Sequence, residues 1–248
     1  MKHHQVFGAS TSRMKNQELL SAEAWDVLRQ EHPFFSISSD RKEWLTTSEV
    51  VIPKDGQDKR LVERAYDVVK LVQQKNIAKI FSVGVGGAAL EYQIQKQLPN
   101  ISIVCSDYSA LTVERLKKVF IESDEIIQFD VRQGNWKEIQ ERYLGENGLC
   151  LMYRIDAGFS DKEWSKIFQA LSQAEIRNIL VIPTGMLTLL SMYNRKKREI
   201  LWFFKKIPSV FSGYVRTKKR FEEHWSAWYG EEELVFGGLK SFFLTKKD

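Results

Sequence analysis

The residues best placed to do chemistry gather around Gly84, Gly86 and Gly87. Closely spaced glycines let a backbone turn sharply and let a ligand approach it. Here they lie between an apolar run, Ile80-Phe-Ser-Val83, and a helix-compatible segment, Ala88 to Gln97. A strand, a glycine turn and a helix N-terminus present N–H groups and a positive dipole end to an anionic group. A nucleotide-like cofactor is the ligand such a turn suits. Asp107 follows by about 20 residues, where folds of this kind place a carboxylate on a ribose. It also reads as a solvated residue at a helix entry. His224 could exchange a proton near neutral pH, although its position beside Trp225 and Trp228 equally suits a core residue.

These residues need a frame, and the rest of the pattern supplies one. Ile101 to Ser106, Glu125 to Phe129, Gly148 to Tyr153 and Arg177 to Ile182 read as further buried strands. Between them the spacing predicts helices over Ala110–Phe120, capped by Ser109, over Trp136–Tyr143, and over Asp161–Ala174, capped by Ser160. Two short strand-like runs, Glu232–Phe236 and Leu239–Leu244, close the chain around Gly237-Gly238. Alternating strands and helices make this an α/β chain with a largely parallel sheet.

Two families share a glycine turn followed by an acid. Gly84-x-Gly86-x-x-Ala89 with Asp107 satisfies the loose dinucleotide fingerprint of an NAD-binding oxidoreductase. The turn also resembles motif I of the class I S-adenosylmethionine-dependent methyltransferases, Asp/Glu-x-Gly-x-Gly-x-Gly. Asp130, at the end of the third strand, and the terminal hairpin favour this second resemblance, which covers about residues 58–248. It implies a Rossmann-like methyltransferase fold: a mostly parallel seven-stranded sheet with an antiparallel C-terminal hairpin and a helical N-terminal extension. Ser82 stands where the family has Asp or Glu, and Ala88 stands at the third glycine. An alanine there is tolerable if its φ is negative.

The resemblance implies S-adenosylmethionine as cofactor and a site for it. Gly84, Gly86 and Gly87 would close around the methionine part, with Ser82 beneath them. Asp107 would accept from both ribose hydroxyls. Tyr108 would lie along the adenine, Asp130 would accept from its amino group, and the Val131 N–H would face a ring nitrogen. Asp130 also reads as an ordinary turn acid. Ser212-Gly-Tyr-Val-Arg-Thr217 is similar to segments that precede the last strands of small-molecule and glycan methyltransferases, which makes Tyr214 and Arg216 candidates for substrate binding. Methyl transfer from a sulfonium needs mainly positioning and desolvation, with a base only where the acceptor must lose a proton. Asp156, at the tip of a strand, and His224 are the candidate bases. There is no Pro-Pro pair, so the Asn-Pro-Pro-Tyr signature of amide and adenine methylation is absent. An oxygen or simple amine acceptor remains, with a sugar or secondary-metabolite intermediate expected.

Composition bounds the rest. At 248 residues the chain can bury a full core. No apolar run reaches the length of a transmembrane helix, and Met1-Lys-His-His-Gln-Val-Phe7 does not read as a signal peptide. Cys105 and Cys150 both fall in buried strands, as reduced core residues of a cytoplasmic protein do. No metal-spaced cluster is present, so no metal is expected. Residues 1–57 read as a helical cap or lid, with a helix over Gln17–Glu31. Residues 58–248 form the main domain, opening on a helix over Lys59–Lys75 with Leu61, Val62, Ala65, Val68, Val69 and Val72 as its stripe.

A substrate-side insertion spans 185–230, and a further helix is expected over Lys218–Tyr229. From Arg195 to Arg220 the insertion carries ten Lys/Arg against one Glu, in a chain whose net charge is only +5. Interleaved with Trp202, Phe203, Phe204, Phe211 and Tyr214, this stretch suits RNA, an anionic small substrate, or a solvated helix face. An RNA methyltransferase and a non-catalytic binding relic therefore stand as alternatives to a small-molecule enzyme. The sequence leaves the oligomeric state open.

Overall fold

The computed structural model describes residues 2–5, 26–27, 30, 37–49, 59–189, 191–193, 197, 200 and 210–247. In chain order the elements are β1 (Lys2–Gln5), α1 (Arg41–Glu49), α2 (Lys59–Gln74), β2 (Lys79–Val83), α3 (Ala89–Gln97), β3 (Ser102–Asp107), α4 (Ala110–Val119) and β4 (Glu125–Gln128). They continue with α5 (Trp136–Ile139), β5 (Gly148–Tyr153), α6 (Asp161–Gln173), β6 (Asn178–Ile182), β7 (Val210–Tyr214), α7 (Lys218–Glu222), β8 (Tyr229–Phe236) and β9 (Leu239–Lys246).

Seven strands form one sheet in the order β4-β3-β2-β5-β6-β9-β8. β2 to β6 are parallel, while β9 runs antiparallel to β6 and pairs with β8 as a hairpin. The fold expected from the sequence is the fold observed. Alternation along the strands makes two cores. Ile80, Ile103, Leu149 and Leu151 face α2, α3 and α4, and Phe81, Val104, Cys150 and Met152 face α5, α6 and α7. The order reverses direction at β2, so the crevice beyond the carboxyl ends of β2, β3 and β5 is where a ligand belongs.

Local chemistry fixes the helix boundaries. Ser109 accepts from the Thr112 N–H, and Ser160 forms a capping box with Glu163. In α2 the buried arc includes Leu61, Ala65, Val68, Val69, Leu71 and Val72, whereas Val62 is 45% exposed. At about 100° per residue, Val62 falls just outside an arc that Leu71 completes.

Two helices end earlier than the sequence suggests. α5 is α-helical only to Ile139 and continues as a π-helical turn, Gln140–Leu144, which stacks the Tyr143 ring on Phe81 at 5.8 Å. α7 stops at Glu222 because Tyr229 already pairs with Lys246 in β8, and an aromatic residue suits that pleated position. The helix expected over 17–31 lies outside the described residues except for 26, 27 and 30, which are helical. Half of the basic 195–220 stretch is also outside them.

β1 and β7 form a separate antiparallel pair, with Lys2 opposite Tyr214 and Gln5 opposite Val210. The first residues of the chain therefore lie along the segment that follows β6. No described helix is long and apolar enough to cross a membrane.

Candidate cofactor and acceptor site

The glycine turn begins where β2 ends. Gly84 and Gly86 have φ of 64° and 56°, which a residue bearing Cβ adopts only at a cost. A Cβ on Gly84 would also lie 2.6 Å from Ile155 Cγ2, so the segment after β5 closes directly on the turn. At Gly87 a Cβ would meet nothing within 4 Å, which leaves room above the backbone. Ala88 has φ of 56°, not the negative value at which an alanine would be unstrained there, and its methyl is buried. The helix cap needs this left-handed residue, and alanine carries the strain a third glycine would have avoided.

Asp107, at the tip of β3, is 2% exposed. Its Oδ2 accepts from Gly86 N and its Oδ1 from Ser109 N, each at 3.0 Å. The carboxylate thus ties the glycine turn to the start of α4. A carboxylate oxygen can accept twice, so this anchoring is compatible with two hydroxyl donors. Tyr108 beside it is half-buried, and its carbonyl accepts from Gln128 Nε2 at 3.0 Å. Asp130 partly supports the plainer reading of a turn acid. Its Oδ1 accepts from Arg132 N at 2.9 Å, and its side chain is about one-third exposed. Val131 is buried against Trp136, whose indole N–H donates to the Val131 carbonyl at 3.3 Å.

Ser82 is fully buried, and its hydroxyl donates to Glu91 Oε1 at 2.6 Å. A carboxyl absent from the strand is thus supplied from the first turn of α3. Burial is the main influence on Glu91 and pushes its carboxyl up to about 7, against the Ser82 bond and its own backbone N–H, with Asp107 adding to the rise.

The four residues expected at the acceptor side do come together, but chiefly as a buried network. Arg216 is 2% exposed. Its Nε donates to Asp161 Oδ1 at 2.7 Å, Nη1 to the Asp156 carbonyl at 2.9 Å and Nη2 to the Phe159 carbonyl at 2.5 Å. Arg216 therefore orders the segment after β5, with Asp161 and two backbone carbonyls as its partners. Tyr214 lies half-buried beneath it, with the guanidinium carbon 5.7 Å from the ring centre.

His224 is 3% exposed, with Nδ1 2.8 Å from Ser165 Oγ and Nε2 3.4 Å from Asp161 Oδ1. Burial and then the charge of Arg216 depress its pKa, so the ring is neutral near pH 7. The ring is held inside the protein against α6. Asp156 is buried at the carboxyl end of β5, and its Oδ1 accepts from Thr184 N at 2.6 Å. Burial raises its pKa, while Thr184 and Arg216 oppose the rise.

Parts of the N-terminal segment reach this edge as well. The Trp44 indole N–H donates to the Gly87 carbonyl at 3.0 Å, and its ring packs edge-on against Tyr92. Asp26 accepts from Ser109 Oγ, two residues beyond Asp107. Arg41 pairs with Glu122, and Arg115 donates to the Ile37 carbonyl, which fixes α1 on α4. The glycine turn alone could not reveal these partners, because they come from more than 40 residues upstream. Among the described residues no His/Cys/Asp/Glu group could hold a metal ion.

A scan against protein-family models and a search of curated proteins find no match. Solved structures do resemble the chain. Human N-acetylserotonin methyltransferase, in complex with SAM, superposes with a TM-score of 0.57 at 16% identity over 95% of this chain and 64% of that one. The pyocyanin biosynthetic protein PhzM gives 0.53 at 12% identity over 75% of this chain and 55% of its own. The magnesium protoporphyrin IX methyltransferase of Synechocystis PCC 6803, with bound SAH, gives 0.56 at 14% identity over 90% of this chain and 99% of its own. The chain thus spans less than two thirds of the length of the first two. With the strand order and the glycine turn, these likenesses establish its fold as the Rossmann-like fold of the SAM-dependent methyltransferases.

Proposed function

We propose that the protein binds S-adenosylmethionine and methylates an oxygen or nitrogen of a small polar molecule. The observation that carries this reading is the Asp107 carboxylate, buried and held between the Gly86 and Ser109 N–H groups at the switch point of the sheet. The residues present fit the cofactor: glycine backbone with open space at Gly87, a carboxylate for a pair of hydroxyls, and Tyr108, Asp130 and Val131 at the next strand tip. When bound, the cofactor supplies the electrophilic methyl group. The chain orients it through Gly84–Gly87 and Asp107 and excludes water from the crevice. Where the acceptor must lose a proton, we assign that role to Asp156, just beyond the carboxyl end of β5, with burial raising its pKa. The small-molecule class is favoured because the similar structures include enzymes named for N-acetylserotonin and magnesium protoporphyrin IX.

Residues 1–57 and 185–230 would together cover the acceptor. The pairing of β1 with β7 and the contacts of Trp44 with Gly87 and of Asp26 with Ser109 support this. Calorimetry with S-adenosylhomocysteine and with NAD tests the cofactor. Binding of the first alone is expected, and Asp107→Ala should weaken it by about 1.5–3 kcal/mol, the scale of a charged hydrogen bond. Binding of NAD alone would overturn the reading.

A further inference from the structure

Arg64 lies within the buried arc of α2 and is only 8% exposed. A guanidinium so buried is normally met by a carboxylate or by several carbonyls, as Arg216 is. Among the described residues no carboxylate pairs with Arg64. Its Nη1 donates to the Tyr153 hydroxyl at 3.0 Å, while its buried Nε–H has no acceptor. An unmet buried donor costs about 1–3 kcal/mol, more on a charged group, and calls for an explanation. The nearby acid Asp67 does not supply one, because its Oδ2 accepts from Gly237 N at 2.9 Å and closes the turn of the terminal hairpin.

That turn also fixes the arginine. Gly237 has φ of 48°, and a Cβ there would lie 2.7 Å from Arg64 Cγ and 2.6 Å from the Arg60 carbonyl. The stem of Arg64 is therefore held in place before any ligand arrives. With Nη1 given to Tyr153, the edge formed by Nε and Nη2 remains. Two parallel N–H groups on one edge match the two oxygens of a carboxylate.

The position points to the acceptor. Tyr153 is the last residue of β5, one step beyond Met152, which pairs with Val83. It therefore stands level with Gly84, one strand across from the glycine turn. Arg154 follows with φ of 58°, its amide donating to the Ile182 carbonyl and its own carbonyl accepting from Thr184 Oγ1. A left-handed arginine, exposed at the end of a strand, is a strained arrangement of the kind that functional sites retain.

We propose that Arg64 and the Tyr153 hydroxyl form a carboxylate-binding subsite that positions the methyl acceptor beside the glycine turn. The idea rests on the methyltransferase reading for its meaning but has its own test. The Arg64 Nε–H resonance, assigned by its disappearance in Arg64→Lys, is followed while benzoate, benzamide or inorganic phosphate is added to protein saturated with S-adenosylhomocysteine. Benzoate should move it saturably and benzamide should not. Benzoate should bind about tenfold or more weakly to Arg64→Gln and about threefold or more weakly to Tyr153→Phe, with affinity for S-adenosylhomocysteine unchanged in both. Should Arg64→Gln fail to fold, Tyr153→Phe decides. A response to phosphate but not benzoate, equal responses to benzoate and benzamide, or no response at all would overturn the subsite. Failure of the wild-type protein to bind S-adenosylhomocysteine would strike the cofactor reading instead, and the benzoate titration without it would still report on Arg64.

Discussion

Glu91 should make the stability of this protein fall as pH rises through neutrality. It sits in the first turn of α3, 1% exposed, with Ser82 Oγ as its hydrogen-bond donor and Asp107 and Cys105 as ionisable neighbours. Burial dominates, so the carboxyl rises from 4.5 to about 7. The folded state therefore keeps a proton that the unfolded chain releases. The group's contribution is fully present below about 4.5, declines as pH rises through about 7, and is flat above that. At about 1.4 kcal/mol per pH unit the full loss is about 3 kcal/mol, and about 2 kcal/mol of it falls between pH 5.5 and 8.5. Glu91→Gln keeps an acceptor for Ser82 and removes the titration. Urea unfolding of both proteins at pH 5.5 and 8.5 isolates the effect, because other groups cancel in the comparison. The glutamine variant should gain about 2 kcal/mol on the wild type across that interval. A change below about 0.5 kcal/mol would refute the reasoning, since a carboxyl that stays near its ordinary value must be hydrated and not sealed beneath the turn.

Arg216→Met should cost about 3–5 kcal/mol in urea unfolding, because it strands the buried carbonyls of Asp156 and Phe159 and removes a partner of Asp161. Affinity for S-adenosylhomocysteine, measured by calorimetry, should stay within about twofold, whereas a large loss of that affinity with intact stability would restore a ligand-binding role. Ala88→Gly should leave unfolding stability within about 0.5 kcal/mol of wild type. Relief of a left-handed alanine offsets the lost methyl, while the same change at a buried residue of ordinary helical φ costs about 1 kcal/mol.

The frame was legible because its signals are local. The apolar run into Gly84, the Ser109 and Ser160 caps and the alternation of strands each follow from a few adjacent residues, and the sheet is mostly parallel with an antiparallel terminal hairpin, as the resemblance implied. Asp107 was legible for the same reason, since strand length sets its distance from the glycines. What could not be read depends on contacts between distant segments. Trp44 meets Gly87, Asp26 meets Ser109 and Lys2 lies opposite Tyr214, and no periodicity encodes these meetings. An acid in a first helical turn, as Glu91 is, carries no local mark of burial, since the helix dipole favours acids there anyway. Only the fold shows that Ser82 lies beneath it.

The two buried arginines show why motif position and chemical role part company. Arg216 lies in a Gly-Tyr-x-Arg segment similar to those that precede the last strands of methyltransferases, and within the chain Asp161 and two carbonyls take its donors. Arg64 lies in α2 among Leu61, Ala65 and Val68, and its Nε–H meets no acceptor among the described residues. No sequence signal marked it: about 95° from the centre of the stripe read from the sequence, residue 64 falls at its edge, and only the observed arc, which Leu71 extends, takes it inward. A charge at an inward position demands a partner, and among the described residues the protein supplies only the Tyr153 hydroxyl. The remaining demand is a property of the folded chain, and it argues that the ligand, not the protein, brings the acceptor oxygens.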